Sequence, residues 1–114
     1  MTAAEKDWKL YRARMPEWQE AYMGRLLKEY EQIIQGEGNP SDRFWALEDR
    51  IYKDKKCPGV QIHMSRSTML QGLMELLADH VITLDDLEGF SEETIERMES
   101  FIESTKNFRK RMQL

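Results

Sequence analysis

Apolar positions in the first third of the chain recur every three or four residues: Trp8, Tyr11, Met15, Trp18, Tyr22, Leu26, Tyr30 and Ile33. At about 100° per residue they fall within one arc of a helical cylinder. Pro16 lies inside this run. A proline disfavours helical geometry at the residue before it and suits the first turn of a new helix. The pattern predicts two helices, 3–14 and 16–35, or one kinked helix that keeps the same stripe. Gly36, Gly38 and Asn39-Pro40 close this segment. Ser41 is placed to cap a third helix over 42–55, with Phe44, Leu47 and Ile51 on one side and Trp45 and Tyr52 widening it.

Cys57-Pro58-Gly59 stops that helix, and Val60 to Met64 alternates apolar and polar residues. A strand needs a partner, and no second strand pattern exists, so 60–64 reads as an extended connector. Ser65 or Ser67 caps a fourth helix over 66–79. Its Met69, Leu70, Leu73, Met74, Leu76 and Leu77 cover much of the circumference, which places it centrally. Thr83-Leu84-Asp85-Asp86 opens a short helix over 84–88 as a capping box, with Asp in the distal place of Glu. Gly89 ends it. Ser91-Glu92-Glu93-Thr94 opens the last helix, 92–111, with Ile95, Met98, Phe101, Ile102, Thr105, Phe108 and Met112 as its inner stripe. The expected fold is all-α: a compact bundle of five or six helices with short connectors and one extended segment, forming a single domain over 1–114.

Composition narrows the function more by exclusion than by assignment. The apolar fraction of 40% suffices for a core, and the 33% of charged residues calls for a hydrated surface. No stretch approaches the roughly 20 apolar residues of a membrane span. The first residues lack the apolar stretch of a secretory signal, so a cytoplasmic location is expected. One cysteine, Cys57, excludes an internal disulfide, and no histidine adjoins it in sequence to activate its thiol. His63 and His80 have no metal-ligand spacing between them or with Cys57. Asp85-Asp86-Leu87-Glu88-Gly89 lacks the alternating ligands and distal glutamate of a calcium loop. No glycine cluster can cradle phosphate, and the many carboxylates fall on predicted solvated faces. Neither an enzyme nor a cofactor or metal is expected.

Charge is unevenly spread. The net charge is −4, yet Glu75 to Glu103 holds ten acidic residues against one basic, Arg97, before Lys106, Arg109, Lys110 and Arg111 reverse the sign. Acids early and bases late on the last helix match its dipole. The same acids, Asp85, Asp86, Glu88, Glu92, Glu93 and Glu96, also form a face suited to a basic protein surface. Helix, turn and helix over 69–104 resembles a DNA-reading arrangement, but Glu92, Glu93 and Glu96 would then meet phosphate. Of eight methionines, Met15, Met69, Met74, Met98 and Met112 fall on inner stripes, whereas Met23 and Met64 are open to partner contact.

Three stretches carry a resemblance: Asp7-Trp8-Lys9-Leu10-Tyr11 with Pro16-Glu17-Trp18-Gln19, Phe44-Trp45-Ala46-Leu47-Glu48 with Asp54-Lys55-Lys56 and Pro58-Gly59-Val60, and Ile82 to Ser91. Over most of its length the chain resembles a group of short helical proteins from clostridial and related Firmicutes genomes, some of them labelled multidrug transporter. Transport would require membrane spans, which this sequence does not provide. The resemblance implies no catalytic or ligand-binding residue; it implies cargo of phages or mobile elements. The expectation is a non-enzymatic protein-binding module whose partner is another protein or a second copy. Trp18, Tyr22 and Met23 on the long helix are candidate contacts, with the acidic face as the alternative surface. In one form the acidic face inhibits a host defence nuclease, as an anti-CRISPR protein does. In another, a regulator touches nucleic acid through the basic C-terminus; nucleic acid is the less expected partner.

Overall fold

In the computed structural model, which describes residues 2–112, four α-helices and two short 3₁₀ turns account for all regular structure. The first helix, α1, runs unbroken over Ala3–Gln35. Thr2 caps it by accepting the Glu5 N–H at 3.1 Å. Of the two readings of this segment the single helix holds, and the break at Met15-Pro16 does not occur. Pro16 lies on the solvent side, so the carbonyl it leaves without a donor can face water. The opposite side buries Trp8, Tyr11, Met15 and Trp18, each contributing roughly 1.5–3 kcal/mol. That burial outweighs the approximately 3 kcal/mol proline penalty.

Helix α2 spans Pro40–Asp54 and begins two residues before the predicted start. Asn39 occupies the cap position, and Pro40, with its backbone pre-set, takes the first helical place. Ser41 therefore lies inside the first turn. Residues 61–65 carry no regular structure, as expected for the connector, and Ile62 within it packs against the core. A 3₁₀ turn over Arg66–Thr68 leads into α3, Met69–Ala78. Met69, Gly72, Leu73, Leu76 and Leu77 are buried there, so α3 holds the predicted central place.

His80 closes α3 with a positive φ of 59°. Its N–H reaches Leu77 O, and the Val81 N–H reaches Leu76 O at 2.9 Å. This pair of bonds is a Schellman closure, with histidine in the place glycine usually takes. The predicted short helix over 84–88 is a 3₁₀ turn, Leu84–Leu87, and its capping box forms: Asp86 accepts the Thr83 N–H at 2.7 Å.

The last helix, α4, spans Glu92–Met112, with Glu92 and Glu93 in its first turn and Arg109, Lys110 and Arg111 in its last. Asp7, buried on α1, fastens its start. The carboxylate accepts the Ser91 N–H at 2.8 Å and the hydroxyls of Ser91 and Thr94, each at 2.7 Å. Ser91 in turn accepts the Thr94 N–H at 3.3 Å. Of the predicted inner stripe, Met98 is fully buried, but Phe108 and Met112 are largely exposed because α4 runs past the core.

The core sits at one end of the molecule, where the first half of α1 meets α3, the second 3₁₀ turn and α4. Tyr11 is packed there with its hydroxyl against Gly72, where any larger side chain would collide with it. Burial pushes the Tyr11 phenol up to about 12. The second half of α1 leaves this head and pairs with α2 as a two-helix arm. The molecule measures 56 × 39 × 21 Å with a radius of gyration of 17.1 Å, against about 13 Å for a compact chain of this length. The expected compact bundle of five or six helices is thus an elongated arrangement of four.

Candidate docking surface

Arm geometry follows from which side of α2 turns toward α1. Arg43, Leu47, Arg50 and Asp54 recur at helical spacing and are half-buried, and three of the four are polar. Arg43 donates to the Ile34 carbonyl at 2.6 Å. Arg50 bridges Glu29 at 2.7 Å and Asp54 at 3.3 Å, and stacks over the Tyr30 ring. The Tyr30 hydroxyl donates to Asp54 at 2.5 Å; burial, and then this bond, push the Tyr30 phenol up to about 12. The bond to Glu29 is the main cause that holds the Arg50 guanidinium above its ordinary value. Three charge-assisted hydrogen bonds thus cross the seam of the arm, Arg43 to Ile34, Arg50 to Glu29 and Tyr30 to Asp54, beside the buried Leu26.

Large apolar side chains of the arm point outward instead. Phe44 is 64% exposed, Trp45 63% and Leu27 60%, and about half of Tyr52 and Ile34 remains exposed. No residue of α2 is buried. Phe44 and Trp45 pack edge to face at 5.2 Å, and Lys56 covers the Tyr52 ring at 4.1 Å. Two grooves adjoin along this side. One, of about 260 Å³, is lined by Phe44, Leu47, Glu48, Ile51, Tyr52 and Lys55. The other, of about 220 Å³, lies between the helices, with Met23, Leu27 and Tyr30 on one wall and Ile51, Lys55 and Val60 on the other. Ile51 and Lys55 belong to both, so the surface is continuous.

The contacts expected on the long helix separate. Trp18 is a core residue, stacked on Phe90 at 6.4 Å. Tyr22 is half-buried over Gly59 and accepts the Cys57 thiol at 3.3 Å. Burial, the largest cause, pushes its phenol well above the usual range. Only Met23 of the three lines a groove on the arm.

Acidic candidates lie on the head, and all are exposed: Asp85, Asp86 and Glu88 around the 3₁₀ turn, and Glu92, Glu93 and Glu96 on α4. Glu93 and Glu96 share an open groove of about 590 Å³ with Met74, Arg97 and Phe101. Asp86 is engaged in capping, and Arg97 pairs with Glu93 at 3.2 Å, so part of the negative charge is already neutralised within the chain.

Phe44, Trp45, Ile51 and Tyr52 were legible as an apolar arc but not as a surface. The missing signal was the polar stripe of Arg43, Arg50 and Asp54, which takes the inner side of α2 and forces the aromatic side out. Among the described residues no group of His, Cys, Asp and Glu is placed to hold a metal ion, and no helix is long and apolar enough to cross a membrane. No family model matches the chain, and no curated protein or solved structure is significantly similar to it.

Proposed function

We propose that the chain is a non-enzymatic protein-binding module whose docking surface is the outer side of the α1–α2 arm. One observation carries this reading: α2 buries none of its residues within its own chain while holding Phe44 and Trp45 more than six-tenths exposed. The exposed apolar side chains of the arm present roughly 600 Å². That is at the upper end of the 300–600 Å² typical of the largest patch on a monomer. Aromatic side chains are the usual anchors of protein interfaces, because they bury much area for little lost side-chain freedom.

The test is affinity capture from nuclease-treated bacterial lysate, comparing the natural chain with Phe44→Ala/Trp45→Ala. Both substitutions remove exposed side chains, so helix content by circular dichroism should be unchanged. Proteins retained by the natural chain should be lost by the variant. Identical retained proteins in both samples, from a chain that also does not self-associate, would sink the reading.

A further inference from the structure

We infer that the occupant of the arm's outer surface is a second copy of this chain, docked antiparallel across a two-fold axis beside Ile51 and Tyr52. The inference rests on the reading of that surface as a protein interface. It adds the identity of the partner and the register of the contact.

A two-fold interface must be complementary to itself, residue i meeting residue j while j meets i. Two features of α2 meet that condition. The first is charge. Glu48 and Lys55 both line the groove that holds Phe44, Ile51 and Tyr52. They are two helical turns apart on one side, about 10 Å along the axis. Among the described residues neither has an ion-pair partner. Two antiparallel copies of α2 crossing beside Ile51 and Tyr52 bring Glu48 of each to Lys55 of the other, forming two equivalent ion pairs.

The second feature is shape. Phe44 and Trp45 protrude near the N-terminal end of α2, while the inter-helix groove of about 220 Å³ opens at its C-terminal end, between Leu27 and Val60. The same axis carries the aromatic pair of one copy toward the groove of the other, and the reverse. Area agrees as well: the roughly 600 Å² of exposed apolar side chain, with its polar rim, approaches the 800 Å² or so that each partner contributes to a standard interface. The closed pair of arms is a four-helix bundle, in which the outer side of each hairpin becomes an inner one.

Sedimentation equilibrium of the full chain across a concentration series tests this, with charge exchange as the readout of register. The natural chain should sediment at twice its 13.6 kDa mass. Glu48→Lys and Lys55→Glu should each weaken association by roughly tenfold or more, because each places like charges opposite one another twice per dimer. Glu48→Lys/Lys55→Glu should restore it, which no merely destabilising substitution would do. A dimer indifferent to the single exchanges would overturn the inference, since it would use another surface. A monomer at every concentration would overturn it too. In that case, Phe44- and Trp45-dependent capture of a different protein leaves the docking reading standing, and its absence removes both.

Discussion

Asp7 shows how much one side chain can organise when it is buried and fully bonded. Its carboxylate joins α1 to the start of α4 through a backbone N–H and two hydroxyls, all within 2.8 Å. Charge-assisted bonds of this kind are worth about 1.5–3 kcal/mol each, though not additively. Asp7→Ala would leave the Ser91 N–H and both hydroxyls without that acceptor. Urea unfolding should then show a loss of about 3 kcal/mol, while Ser91→Ala, which keeps the backbone bond, should cost less. Nothing in the linear pattern announced this contact. Asp7 sits one position before the stripe that begins at Trp8 and reads as an ordinary helical acid. Its partners lie 84 and 87 residues away, at a separation no periodicity can register.

Among the elements, α1 and α2 show where local rules yield to packing. A proline at a helical boundary and a proline in mid-helix have the same local preferences; the difference is what the neighbouring turns bury. Pro16 stays helical because the side opposite it is anchored in the core. Pro16→Ala should therefore stabilise the protein by about 1–3 kcal/mol in thermal or denaturant unfolding, by restoring a backbone bond without disturbing the buried side. A lower stability would mean that the proline is needed to set the course of α1. The stops at Gly36 and at Cys57-Pro58-Gly59, the capping box at Thr83 and the central place of α3 were all legible, because each depends on a few adjacent residues. The orientation of α2 was not. Periodicity shows that Phe44, Leu47 and Ile51 share a side, but which side of α2 turns toward α1 depends on Glu29, Tyr30 and Ile34 in another helix.

For the whole molecule, burial is lopsided. The buried cluster belongs to the head, whereas on the arm α1 buries Leu26 and α2 buries no residue. Native-state hydrogen exchange should accordingly find α2 opening at lower free energy than α3, with the α3 amides near the global limit. Equal protection in both would contradict the division. If the arm pairs as inferred, protection of α2 should rise with protein concentration. The charge asymmetry along the chain was visible from the start, but its placement was not: the acids of the 3₁₀ turn and α4 lie on the head, apart from the arm's apolar surface.

Because α1 belongs to both parts without a break over its 33 residues, no flexible linker separates head from arm. A helix of that length is a ruler of about 50 Å. Whatever the arm holds is kept at a fixed distance and rotational setting from whatever meets the head. Inserting one residue into the middle of α1 would turn one end relative to the other by about 100°. The spacing of the two ends is thus written in the residue count of one helix.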